Sequence, residues 1–271
     1  MVIREIPVKS MLTKTRVPAG DYVINPYVGC PHRCVYCYAD YMRRFTGHGE
    51  PWGEFLDVKI YDQNLKLNRL NGKKVVLCSV TDAYNPFEKK YGVTRKLLEQ
   101  FTDSRVKVEI LTKSDLVLRD LDVLKRIPDI TVGVSINTLD DGIRKKLESG
   151  APSVERRLAA IKTLTGAGIN TYIFVSPILP GITDCREILK RCKHYCKKFY
   201  FENLNLRGAY RQKILQYVHN NYPHLMPLYD EIYRHKNREY WHTMEKEIGK
   251  FCEERYINWG SYFFHEKIRK N

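Results

Sequence analysis

The sequence predicts an α/β fold built on a parallel sheet. Short β-rich runs alternate with longer amphipathic helical patterns, and the runs are mostly apolar throughout, as strands buried on both faces must be. At 271 residues the chain is long for an ordinary domain and normal for an α/β barrel. In chain order the runs are YVINPYVG (22–29), KKVVLCSV (73–80), RVKVEILT (105–112), DITVGVSI (129–136), INTYIFVS (169–176) and KFYFENLNL (198–206). Each is rich in the β-branched and aromatic residues that suit a pleated surface.

Between the runs lie TRKLLEQF (94–101), SDLVLRDLDVLKRI (114–127), SVERRLAAIKTLTGAG (153–168) and DCREILKRCKHYC (184–196), with apolar residues three and four apart. Ser114, Ser153 and Asp184 stand where N-caps belong. Six such units give either an open doubly wound sheet or a partial barrel. Beyond about residue 209 the pattern is helical and amphipathic to the end. The core therefore spans 1–208, and a helical extension, 209–271, packs on it. No linker, low-complexity segment or short repeat interrupts the chain.

Composition narrows the function classes. Apolar residues make up 43% of the chain, enough for a substantial core. Forty-six basic against 31 acidic residues give a net charge of +15, a balance that permits contact with nucleic acid or another polyanion. No run approaches the eighteen or so apolar residues of a membrane span, and MVIREIPVKSMLTKTR lacks the apolar core of a signal peptide. The expected location is the cytoplasm, where eight cysteines stay reduced and serve metal or redox chemistry before disulfides.

Ligands of parallel α/β folds bind at the carboxyl ends of the strands. Here the first run ends in a cysteine loop, and the second in Thr81-Asp82-Ala83-Tyr84-Asn85-Pro86. The third ends in Thr112-Lys113-Ser114, the fourth in Ser135-Ile136-Asn137, and the fifth in Ser176-Pro177. The sixth carries Glu202, Asn203, Asn205 and Arg207. Polar groups converge on one rim, which is an active-site layout.

The cysteine loop is GCPHRCVYCYAD (29–40), with Cys30, Cys34 and Cys37 spaced C-x3-C-x2-C. Four readings compete for it. Structural zinc would want two CxxC-like pairs or a Cys/His set. Disulfide exchange through Cys34 and Cys37 would leave Cys30 idle. Inert packing does not suit cysteines set among Pro, His and Arg. A site-differentiated 4Fe-4S cluster, with three thiolates on three irons and the fourth iron open, accounts for all three.

That spacing, with Tyr36 just before the last cysteine, resembles the signature of the radical S-adenosylmethionine (SAM) superfamily. SVTDAYNPFE (79–88), ILTKSDLVLRD (110–120), VSINTLDD (134–141), LESGAPSVERRLAAIKTLTGAGI (147–169) and SPILPGITD (176–184) are similar to spore photoproduct lyase–like members. MVIRE, CYADYMRRFTGHGEPWGEFLDVK and ENLNLRG resemble, more narrowly, the radical SAM mobile pair proteins of the A type. The resemblance covers at least residues 1 to 240. It implies a partial (β/α)6 barrel of the TIM-like type and an enzyme whose cluster electron cleaves SAM to methionine and a 5′-deoxyadenosyl radical. The amine and carboxylate of SAM would then fill the open iron site.

Carried over by position, the resemblance places Thr81, Lys113 and Ser135 at the amino-acid end of SAM, with Asn137 beside them. Tyr36 and Tyr38 belong against the adenosine, Pro177 and Ile178 along the adenine, and Asp82 shapes the second loop. The lyase's hydrogen-donating cysteine falls here on Ser79, a poor donor, so photolesion repair is not expected. Cys78, one residue away, is the catalytic candidate only where a bulge re-aims it. RFTGHGEPWG (44–53) reads as a loop over the cluster, with His48 and Trp52 meeting substrate or shielding it from water. Glu202, Asn203 and Asn205 close the opposite rim as further substrate candidates. Cys185, Cys192, Cys196 and Cys252 read as structural, the first three on one helix face with Ile188 and Leu189. The partners implied are a second radical SAM protein encoded alongside, a nucleic acid, and an external reductant such as flavodoxin or ferredoxin.

Overall fold

The computed structural model of the chain describes residues 1–15 and 19–263. Its strands are β1 (Val2–Pro7), β2 (Leu12–Lys14), β3 (Tyr22–Ile24), β4 (Tyr27–Val28), β5 (Phe55–Ile60), β6 (Lys74–Leu77), β7 (Lys107–Thr112), β8 (Ile130–Ser135), β9 (Asn170–Ile178), β10 (Lys198–Asn203) and β11 (Asn258–Ser261). Eight of them form one sheet in the order β11-β10-β9-β8-β7-β6-β3-β2. Every neighbouring pair is parallel except β2 with β3. The edges β2 and β11 do not meet, so the sheet is an open, partial barrel.

All six predicted runs supply strands of this sheet. Their apolar continuity has the expected cause, since Ile24, Val75, Leu77, Val108, Ile110, Val132, Val134, Ile173, Val175, Phe199 and Phe201 are all buried. Each such side chain contributes about 1.5–3 kcal/mol relative to exposure. The first run splits, however. Pro26 has no N–H for a ladder, and beyond it Tyr27–Val28 pairs with β5 in a second sheet of order β1-β5-β4. The Pro26 carbonyl still accepts from the Lys59 N–H at 3.0 Å. This small sheet holds the segment that enters the cysteine loop.

The three expected N-caps are formed. Ser114 accepts from the Leu116 N–H, Ser153 from the Arg156 N–H and Asp184 from the Glu187 N–H. The helix from Asp184 stops at Cys192, so Cys196 lies outside it, in the turn before β10. All four downstream cysteines are buried. Helices Tyr210–Asn221, Met226–Tyr233 and Glu239–Glu253 follow β10. The chain after residue 209 is not helical to its end, because Asn258–Ser261 returns as β11 to cover the β10 edge. Residues 264–271 of the expected extension lie outside the described residues. No described helix is long and apolar enough to cross a membrane.

Candidate active site

The cysteine loop begins with a forced glycine. Gly29 has φ +89°, and a Cβ there would lie 2.4 Å from the Phe55 carbonyl oxygen. Two tight turns follow, closed by Arg33 N–H to Cys30 C=O at 3.3 Å and Cys37 N–H to Cys34 C=O at 3.1 Å. The C-x3-C-x2-C spacing thus becomes a double turn presenting three free, half-buried thiols. The loop is zipped to the segment after β8, where Val35 N–H donates to Leu147 C=O at 2.8 Å and Gly150 N–H to His32 C=O at 3.0 Å. A Cβ on Gly150 would sit 2.0 Å from the Pro31 carbonyl oxygen, so no other residue fits.

Beneath this zipper lies a buried charged network absent from the sequence reading. The Tyr36 hydroxyl donates to one Glu148 oxygen, and the Arg157 guanidinium pairs with the other. Arg157 also donates to the Ser135 carbonyl and the Pro152 carbonyl, each at 3.1 Å. Asn137 donates to the Tyr36 hydroxyl at 3.3 Å. Burial works against the Glu148 anion, yet Arg157 and Lys113 outweigh it and hold its carboxyl below the usual glutamate value. Burial, then the facing Glu148 charge, push the Tyr36 phenol well up. The sequence held one signal of this. Arg157 falls on the apolar stripe of its helix with Val154, Leu158, Ile161 and Leu164, where a lone arginine needs a buried partner.

Lys113, just past β7, lies with its ammonium 5.7 Å from the Tyr36 ring centroid. It has no ion-pair partner among the described residues. Burial opposes its charge, and the neighbouring Cys34 and Glu148 more than restore it. Asp82 is fully used as a brace: Thr112 donates to it at 2.7 Å, the Lys113 N–H at 2.8 Å and the Tyr84 N–H at 2.9 Å, and His32 lies 3.4 Å away. The Thr81 hydroxyl donates to Gly29 C=O at 2.6 Å, tying the second loop to the cysteine loop. Ser135 is buried and donates to Ser176 C=O at 3.3 Å. The Ser176 hydroxyl donates in turn to Glu202. Pro177 follows a cis peptide bond, and Ile178 is buried at the end of β9.

The thiols fit a cluster. Burial pushes Cys34 up to about 12, against a lowering by Lys113. Burial also raises Cys37, while the Ala39 N–H, Lys113 and the Trp52 indole pull it back. That indole N–H is buried with no oxygen or nitrogen acceptor, placed as a donor to a Cys37 thiolate. Ala39, Trp52 and Phe55 form a dry wall packed against Cys30 and Cys37. Among the described residues no three His, Cys, Asp or Glu side chains converge as ligands of a single ion. A cube takes one thiolate per iron and needs no such convergence.

Other candidates separate. His48 is buried in the small sheet, stacked on Phe55 at 4.0 Å, with ring nitrogens 2.8 Å from Asp57 and 3.1 Å from Glu50. The segment 44–53 is therefore partly helical and partly tucked inward, not a free loop. Tyr38 is exposed, with its hydroxyl on Ser79 C=O. A register shift between Phe201 and Asn203 interrupts the pairing of β10 with β9 near the strand end. The Asn203 side-chain oxygen is buried without a partner, and Asn205 C=O accepts from Tyr210. Cys78 is buried at the end of β6 with φ +70°, so simple strand alternation does not set its direction.

The family model of the radical SAM superfamily matches residues 24–192. An uncharacterized protein of Methanocaldococcus jannaschii is 40% identical over 82% of this chain and 84% of its own length. The radical SAM Nalpha-GlyT isomerase of Pseudomonas phage M6 is 30% identical over 62% of this chain and 36% of its own. Among solved structures, spore photoproduct lyase complexed with a dinucleoside spore photoproduct superposes with a TM-score of 0.60 at 17% identity. That match covers 82% of this chain and 66% of the lyase.

Proposed function

The chain belongs to the radical SAM superfamily of enzymes, and we propose that it cleaves SAM reductively to abstract a hydrogen atom from a nucleic-acid substrate or one presented by a partner protein. A 4Fe-4S cluster held by Cys30, Cys34 and Cys37 would supply the electron, delivered by an external reductant such as a flavodoxin or ferredoxin. One observation supports the SAM site most strongly. Lys113 is a half-buried cation that makes no ion pair among the described residues yet lies beside the cysteine loop, where the carboxylate of an amino acid would complete it. Thr81 and Ser135 would serve the amino group as acceptors, since each hydroxyl donates its proton to a carbonyl, of Gly29 and of Ser176, and keeps its oxygen lone pairs, while Asn137 holds the Tyr36 hydroxyl beside them. Tyr36 would form one wall for the adenosine, and Pro177 and Ile178, at the end of β9, would line the adenine.

The chain's own residues do the rest. Asp82 fixes the Lys113 backbone, so the ammonium is presented from a rigid loop. Glu148 and Arg157 fix Tyr36 against the β8 end, which sets the gap between the thiols and the SAM residues. The Trp52 and Phe55 wall excludes water from the thiols. The dinucleoside spore photoproduct bound by the structurally similar lyase suits the nucleic-acid arm of this reading.

Equilibrium binding of SAM to the anaerobically reconstituted protein tests it. Lys113→Met should weaken binding about 10- to 150-fold, the value of a lost charge-assisted hydrogen bond of roughly 1.5–3 kcal/mol. Unchanged affinity with full iron content would remove Lys113 from the site and the reading with it.

A further inference from the structure

Six large apolar or aromatic side chains are exposed among the described residues, and three of them, Tyr38, Tyr41 and Phe45, stand on one 3-10 helix, Tyr38–Phe45. This helix starts at the residue after Cys37. Tyr41 is 49% and Phe45 66% exposed, far more than packing alone leaves to such rings. The Arg44 guanidinium lies between them, 4.6 Å from the Phe45 centroid and 5.8 Å from that of Tyr41. Arg43 and Arg44 are exposed and make no ion pair among the described residues; Arg43 donates to Gly49 C=O at 2.8 Å.

The segment after β10 carries exposed Arg207, Arg211 and Lys213. It adjoins the 3-10 helix where Lys213 approaches Asp40, the one acidic group of that helix, at 3.7 Å. Cations thus stand on the helix and on the segment beside it, and flat rings interleave with them on the helix. A folded acidic protein would need the charges but would bury these rings against apolar side chains. A single strand of nucleic acid needs both, because its phosphates follow the arginines and every base offers a face to stack.

We infer that the Tyr41–Arg44–Phe45 face is a stacking platform for an unpaired nucleic-acid strand, which it holds beside the cysteine loop. This rests on the enzyme reading above and narrows its substrate to a polynucleotide presented single-stranded. The platform grips bases flanking the reacting one, while the arginines of the helix and of the segment beside it carry the backbone.

The test is fluorescence anisotropy of a labelled 15-mer oligo(dT) on the anaerobically reconstituted protein, with iron content measured on every sample. Tyr41→Ala and Phe45→Ala should each weaken binding about 5- to 150-fold, the range for losing one base–aromatic stack. Arg44→Ala should lower the salt slope by about one. An abasic polymer of equal charge should compete at least 10-fold more weakly than oligo(dT), and Lys162→Ala, remote and exposed, should change nothing. Absence of oligo(dT) binding, ring variants that bind like the parent, or an abasic polymer that competes equally would each overturn the platform. The last is the behaviour of a face made for any polyanion. Iron content keeps the outcomes apart: a parent protein with full iron that does not bind oligo(dT) condemns the platform alone, whereas a parent protein that takes up no iron condemns the enzyme reading.

Discussion

Glu148→Gln is the perturbation whose consequence the structure fixes most closely. The side chains of Glu148 and Arg157 are 0% and 1% exposed, so neither charge is relieved by water. Glutamine keeps the shape and can still accept from Tyr36, but it leaves the guanidinium uncompensated. Breaking a buried pair from one side costs about 3–5 kcal/mol. Two carbonyl acceptors remain to Arg157, which places the expected loss near the low end, about 3 kcal/mol. Arg157→Met should cost a comparable amount by stranding the carboxylate. The double variant should cost less than the sum by at least about 1 kcal/mol, since removing both charges leaves none unpaired. Urea unfolding at constant slope reads this directly. A single-variant loss below about 1 kcal/mol, or strict additivity in the double, would show that the pair does not carry the loop.

Further outcomes follow from the same contacts. Gly150→Ala should displace the loop at Pro31 and lower iron incorporation below half of the parent value, whereas Gly166→Ala, with open space at its Cβ, should not. Asp141 is held from its ordinary 3.8 down to about 2, by Arg144 first and, against the opposing effect of burial, by the Val154 N–H. Its folded value is depressed, so its contribution is complete above about pH 4 and vanishes as the pH falls through 2. Asp141→Asn should therefore flatten the acid limb of a stability–pH profile between about pH 4 and 2, and an unaltered limb would refute that. Cys185→Ala, Cys192→Ala and Cys252→Ala should each retain full iron, because these thiols are core side chains.

The sheet was legible because central parallel strands are buried on both faces and carry continuous apolar runs. Strands β1, β5 and β11 escaped for local reasons. Val2–Pro7 is largely exposed at an edge, Phe55–Ile60 carries Asp57 for His48, and Asn258–Ser261 is four residues with a glycine. In the site, the cysteine spacing and the polar strand ends could be read because each is a local pattern. Glu148 and Arg157 could not be paired by pattern alone, since nothing local says that a glutamate after one helix meets an arginine inside the next. The place of His48 was not legible either, because a glycine-rich stretch does not show that its histidine is drawn inward by Asp57 and Phe55.

Three thiols, and a lysine cation with no ion-pair partner among the described residues, suit this chain to the cleavage of SAM. Anaerobic protein reconstituted with iron and sulfide, then given dithionite and SAM, should form 5′-deoxyadenosine, and Cys34→Ala should abolish it. Protein that binds no iron, or forms 5′-deoxyadenosine equally well without Cys34, would contradict the account.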